Sequence, residues 1–429
     1  MPHVLPPLAT RSTTAPVPRL PGFDHTLAWL ADPYRFIARG CATLGADAFQ
    51  TRLLLRPTIC MSGPLAAELF YDESRFLRAG AAPEPLKATL FGRDGVQTLD
   101  GDAHRVRKAL LVGLTGADSV RSLIEIAGEE WDRAAAGWAG APHPVTLYRE
   151  VQPLLARAAC RCAGVPLPEA EVARRTRQLV ALFDEAAAGP VAHLRARWAR
   201  SRAEAWLMAL VEDARAGRVA LPPGCAAQVI AAYRDLDGRP LPVHTAAVEL
   251  LNLLRPVVAV SVWISFVAHA LQRFPAWRAT LASPDGENLA PAFIDEIRRH
   301  YPFFPAIVAR VREDFDWCGL HFPAGRRVLL DVFGTHHDPR IWREPQAFLP
   351  ERWLQRRPGP YEFLPQGGGD VAGGHRCPGE DLAAQLMRLA LGRLSRMRVI
   401  VPPQVMALKM SRLPAVPVDG IRLRVLDPG

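Results

Sequence analysis

The chain has 429 residues, 49% of them hydrophobic, enough to bury a sizeable core as one large domain or two average ones. Its formal charge of +9 is carried almost wholly by arginine, because lysine stands only at 87, 108 and 409. No basic run interleaves with aromatics, which excludes the pattern of a single-strand nucleic-acid binder.

The seven cysteines, at 41, 60, 160, 162, 225, 318 and 377, make no closely spaced even framework, and Cys160–Cys162 is not a metal-pair spacing. A reducing cytoplasm is the expected setting. Residues 1–20 are broken by prolines and arginines and hold no apolar core of signal-peptide length, so they are expected to form a flexible arm ahead of a single domain over 21–429.

In chain order, a helix is expected over 26–38, a strand pair over 49–61 turning near Arg56-Pro57, and a short helix over 64–71. The glycine-rich segment 76–101 reads as one long loop, a feature that usually has a function. A helix over 103–113 follows, with His104 and Lys108 on one face. Several amphipathic helices come between 119 and 217. The longest helix is expected over 245–274, capped by Thr245 and stopped before Pro275. Its apolar run is interrupted by Glu249, Arg255 and Pro256, which argues for a buried core helix over a membrane span. One more helix over 291–301 and short strands at 307–312, 327–330, 398–401 and 421–425 complete a mainly α fold with small β-sheets.

The stretch that organises the rest runs from Phe363 to Glu380. Gly367, Gly368, Gly369, Gly373 and Gly374 let a flat ligand approach the backbone closely. Cys377 closes this loop, with Pro378 suited to the first helical position and Leu382, Leu386, Leu389 and Leu394 following at helical spacing. A helix N-terminus and Arg376 are expected to lower the cysteine pKa. One cysteine in the window rules against a four-thiolate zinc or iron–sulfur site, whereas a single axial thiolate on haem iron needs nothing more.

Inside the longest helix, Arg255-Pro256 combines a charge that loses solvation with a proline that deletes a backbone hydrogen bond. Such a costly pair points to function. A buried guanidinium attracts a carboxylate and can hold it bidentately, either from an internal acid or from a substrate.

At this point the chain resembles the cytochrome P-450 superfamily, whose haem loop is similar to Gly374-His375-Arg376-Cys377-Pro378-Gly379. Glu296-Ile297-Arg298-Arg299 and Pro350-Glu351-Arg352-Trp353 resemble that family's structural triad, which implies bracing roles for Glu296, Arg299 and Arg352. The opening Pro365 to Asp370 is similar to the hydrogen-peroxide-using fatty-acid peroxygenase branch.

The resemblance implies a single-domain cytochrome P-450 fold and a haem b whose axial thiolate is Cys377, with Arg78, His104 and Lys108 on the propionates and His375 joining them. It assigns Arg255 to a fatty-acid carboxylate, and Pro256 stands where most relatives carry the alcohol of a proton-delivering pair. The bound carboxylate then supplies the general acid–base. Gln97 matches a position near the alpha and beta carbons, and Leu90 and Phe91 match the hydrophobic pocket, with ordinary core packing as their other reading. The implied partners are a fatty acid and hydrogen peroxide, with no dedicated reductase, no nucleic acid and no stable membrane insertion. Hydroxylation at the alpha or beta carbon is the leading expectation. Decarboxylation to a terminal alkene, a reductase-dependent monooxygenase and a non-catalytic haem or fatty-acid carrier are the alternatives.

Overall fold

The computed structural model of the chain describes residues 15–284 and 286–429. At its centre lies the helix Val243–Arg273, nearly all of it buried. By length and composition it could cross a membrane, but 83% of its most apolar stretch is buried inside the fold, so it is the core helix its interrupting charges predicted. Around it pack Leu147–Ala163, Glu169–Asp184, Pro190–Arg215 and the helix that follows the cysteine loop, Glu380–Arg396. Their leucine, valine and alanine faces form one continuous core.

A second, smaller core lies under a five-stranded sheet in the order Ala48–Leu53, Arg56–Met61, Arg327–Asp331, Ala306–Val311, Phe76–Leu77. The pair Arg56–Met61 and Arg327–Asp331 is parallel and the other neighbours are antiparallel. Two three-stranded sheets complete the β structure, one joining Arg398–Ile400, Arg422–Asp427 and Val145–Thr146, the other Ala15–Pro16, Leu320–Phe322 and Phe315–Trp317.

The expected arm extends to residue 20, of which 1–14 lie outside the described residues. From Ala15 onward the chain is bonded into the fold. Ala15 N–H donates to Gly319 O at 2.9 Å, Leu20 N–H donates to Gln50 O at 3.0 Å, and Val17 is buried. The helix expected over 26–38 is two, Thr26–Ala31 and Phe36–Leu44, because Pro33 forces Asp32 out of helical geometry (φ −149°, ψ 75°).

The strand pair turns at Leu54-Leu55, both at positive φ, and not at Arg56-Pro57. Thr26 Oγ1 and Asp24 Oδ2 accept the two leucine N–H groups at 2.6 and 2.8 Å, and so hold a turn that leucine does not favour. The long loop over 76–101 contains the strand Phe76–Leu77, a helix Glu84–Leu90 and a 3₁₀ turn Val96–Thr98. The central helix begins at Val243 behind Pro242, so Thr245 is buried within it and does not cap it. The helix expected to start at 291 already begins at Gly286 and runs through Pro291 to His300.

The bracing triad is as expected. Glu296 and Arg299 are wholly buried, and the Glu296 carboxylate accepts Arg299 at 2.7 and 2.9 Å, Leu349 N–H at 2.8 Å and the Trp353 indole at 2.9 Å, with Arg352 at 3.2 Å. Arg299 also donates to the carbonyl of His336, whose ring Nε2 accepts Leu364 N–H at 2.7 Å. That acceptor requires a neutral ring, and burial indeed drives the His336 pKa well down. The triad is thereby tied to the segment entering the cysteine loop.

Candidate active site

The cysteine loop leaves the Phe363–Leu364 segment through Gly367 (φ +102°) and Gly369 (φ +75°), conformations that a side chain would strain. A Cβ on Gly368 would also lie 2.5 Å from the Leu364 side chain. Gln366 braces the far end twice. Its carbonyl accepts Cys377 N–H at 3.0 Å, and its side-chain Nε2 lies 3.7 Å from Sγ.

The following helix starts at Glu380 with Gly379 as its cap, so neither Cys377 nor Pro378 is helical. The expected lowering of the thiol pKa is reversed in the protein itself. Burial pushes it up, and the Gly379 N–H and the Lys108 charge oppose this only in part. The Arg376 Nε is itself bonded to Glu380 at 2.7 Å. Bound metal, not the helix terminus, is what deprotonates such a thiol.

The four other residues expected at the cofactor converge beside this loop. His104 and His375 stack with ring centroids 3.8 Å apart. His375 Nε2 lies 3.8 Å from Asp100, whose carboxylate also accepts the backbone N–H groups of Arg78 and Ala79 at 2.8 and 2.9 Å. Lys108 donates to the carbonyl of Arg376. Burial brings His104 down to about 4 and lowers Arg78, Lys108 and His375 as well, so each would gain from a buried anion. Arg78 Nη1 and His104 Nδ1 are buried without a partner. A lone thiol on a glycine-rich loop, beside a buried guanidinium and an imidazole with unpartnered nitrogens, fits haem and its two propionates.

The remaining expected residues lie on and around the central helix. Arg255 is 8% exposed, has no carboxylate partner among the described residues, and leaves Nε unbonded. Burial, and then the like charge of Arg200, bring its pKa down to about 9, while the Cys377 sulfur pulls the other way. Among the described residues the internal acid considered for it is therefore absent. Its guanidinium lies 5.5 Å from the centre of the Phe91 ring, the residue that ends the helix Glu84–Leu90. Leu90 packs against the main core. Gln97, on the 3₁₀ turn, accepts Asn252 Nδ2 at 3.1 Å. Pro256 lies inside the helix and has no N–H to donate to the carbonyl of Asn252.

Sequence reasoning missed the group beneath Gln97. Glu249 is wholly buried and accepts Val96 N–H at 2.9 Å, Arg107 Nη1 at 3.0 Å and Asn252 Nδ2 at 3.2 Å. Its signal was present as Glu249, Asn252 and Arg255 spaced three apart along one face of an otherwise apolar helix.

A family model for cytochrome P450 matches residues 288–419, which carry the triad and the cysteine loop. Cytochrome P450SP alpha (CYP152B1), solved in complex with (R)-ibuprophen, superposes with a TM-score of 0.92 at 46% identity, covering 95% of this chain and 100% of that one. The chain belongs to the cytochrome P450 superfamily.

Within the superfamily its whole-length likeness is to the CYP152 branch, and the cofactor is haem with the Cys377 thiolate as axial ligand. Cytochrome P450EX alpha (CYP152N1), solved with myristic acid, matches at 37% identity and TM-score 0.90 over 95% of this chain and 98% of that one. A variant of cytochrome P450 OleT, solved with arachidonic acid, matches at 30% and 0.91 over 96% and 98%. Among curated relatives, (S)-N-methylcanadine 1-hydroxylase of Papaver somniferum is 36% identical over 110 residues, 24% of this chain and 19% of that protein. Matches of that kind span well under half of the curated relatives' length.

Proposed function

We propose that this protein is a fatty-acid peroxygenase that hydroxylates its substrate at the alpha or beta carbon with hydrogen peroxide. The observation that carries the reading is Arg255, a guanidinium buried in the central helix within electrostatic reach of the Cys377 sulfur, with no acid among the described residues to neutralise it. A fatty-acid carboxylate is the complementary group, and it would restore the charge balance that burial denies. The solved relatives' ligands myristic acid and arachidonic acid are of that chemical class.

Haem, when bound by Cys377, would supply the oxidising chemistry, since a thiolate ligand favours peroxide O–O cleavage. Arg255 binds and orients the carboxylate. The helix itself offers no proton carrier beside it, since Pro256 has neither hydroxyl nor N–H. The bound carboxylate therefore takes up and returns the proton that peroxide activation requires. Anchoring by the head group also brings the first two methylene carbons, and not the distal chain, to the oxidant. Phe91 stacks near the guanidinium and excludes water from the ion pair. Arg78, His104, Lys108 and His375 are the residues proposed to hold the propionates.

The test is purified holoprotein with a medium-to-long fatty acid and hydrogen peroxide, and no reductase. Alpha- or beta-hydroxy acid is the expected product. Turnover that appears only when a redox partner is added would overturn the reading, and binding without turnover in either case would make the protein a carrier.

A further inference from the structure

Glu249, Asn252 and Gln97 form a hydrogen-bonded row whose direction can be read from its buried end. A carboxylate has no hydrogen to donate. Glu249 Oε1 already takes Val96 N–H and Arg107 Nη1, and Oε2 takes Asn252 Nδ2 at 3.2 Å. Arg107 is itself buried and also pairs with Asp235, and it supplies the opposite charge that keeps Glu249 an acceptor in a site where burial pushes its pKa up.

Asn252 must therefore turn its amide nitrogen towards Glu249. The second hydrogen on that same nitrogen goes to Gln97 Oε1 at 3.1 Å, and Asn252 Oδ1 is left buried without a partner. Turning the Asn252 amide over would face oxygen against carboxylate. Gln97, with its oxygen consumed, has its two N–H donors left, and no acceptor among the described residues meets them.

We infer that Glu249 is a positioning residue that sets the polarity of Gln97, so that an N–H pair and not a carbonyl faces the acid end of the bound substrate. The same carboxylate holds the backbone of the 3₁₀ turn through Val96, fixing where Gln97 stands as well as which way it points. Asn252 and Arg255 are one turn apart on one helix face, so the donor end of the row and the guanidinium address the same carboxylate. The inference rests on the fatty-acid reading above. It adds that the first carbons are aligned by a donor whose direction is dictated from the protein interior.

The test reverses the row without removing its atoms. In the double variant Glu249→Gln with Asn252→Asp, the acid sits at 252 and accepts from both neighbours, so Gln97 presents its oxygen to the pocket. Three measurements on holoprotein are compared with the parent: hydrogen exchange of the 95–101 segment, the dissociation constant of a saturated fatty acid from the Soret change without peroxide, and the ratio of alpha to beta product.

The expected result is unchanged exchange protection, affinity weakened about tenfold by the loss of one donor to a charged group, and a shifted product ratio. On a Gln97→Ala background the reversal is expected to leave the product ratio unchanged and to keep only the affinity loss that a carboxylate at 252, one turn from Arg255, imposes by itself. Equal affinity and ratio in the reversed variant, or a shifted product ratio that persists without Gln97, would overturn the inference. Should the double variant fail to fold, Asn252→Leu cuts the side-chain row alone and is read in the same way. A parent protein that neither binds nor oxidises fatty acid would instead sink the underlying reading.

Discussion

Arg255→Met separates a structural arginine from a ligand-holding one. An ordinary arginine titrates near 12.5, and Arg255 is held at about 9. At about 1.4 kcal/mol per pKa unit, the charged form is disfavoured in the ligand-free protein by on the order of 5 kcal/mol. Methionine has similar length and carries no charge to desolvate. The ligand-free holoprotein should therefore become more stable, by roughly 1–3 kcal/mol after some packing is lost. Fatty-acid binding should fall about a hundredfold to a thousandfold, the worth of two charge-assisted hydrogen bonds. Urea denaturation and a Soret titration give the two numbers on one preparation. A variant that loses several kcal/mol of stability while binding fatty acid as before would mean that Arg255 has a native acid partner and no ligand role.

Three further outcomes follow from the same geometry. Fatty-acid affinity should be flat with pH up to about 9 and then weaken about tenfold per unit, because above its ligand-free pKa Arg255 must regain a proton to bind the anion. Titration over roughly pH 7.5 to 10 checks this, and Arg255→Met should show no such break. Glu296→Gln should cost about 3–5 kcal/mol, since it leaves the wholly buried Arg299 charge unopposed and turns a donor against donors. A loss under about 1 kcal/mol in urea denaturation would remove the bracing role. Cys377→Ser should keep the helical circular-dichroism signal while losing the thiolate signature of the ferrous carbonyl complex, and retention of that signature would exclude Cys377 as the ligand.

The parts visible in the sequence were those whose chemistry lies close together along the chain. Glu296 and Arg299 share one helical turn, and the glycines before Cys377 announce a backbone that must bend tightly. The parts that were not visible depend on partners far apart or on one effect outweighing another. Nothing local says that His104 stacks on His375, or that Val96 and Arg107 converge on Glu249. Leucine at a two-residue hairpin turn runs against propensity, and only Asp24 and Thr26 make it tenable. The helix-terminus argument for a low thiol pKa was sound in kind, yet the helix begins three residues later and burial outweighs it.

A polar residue in an apolar helix is visible in sequence as a cost, but its compensation is not. The central helix carries three such residues on one face. Structure resolves them by subtraction: Glu249 is balanced by Arg107 and by the N–H groups of Val96 and Asn252, and Asn252 is balanced by Glu249 and Gln97. Arg255 alone of the three has no counterpart among the described residues, and the Cys377 sulfur is what favours its charge. A fold that balances the one neighbouring charge and leaves the Arg255 charge bare has left that charge for a molecule from outside, and a buried guanidinium selects an anion.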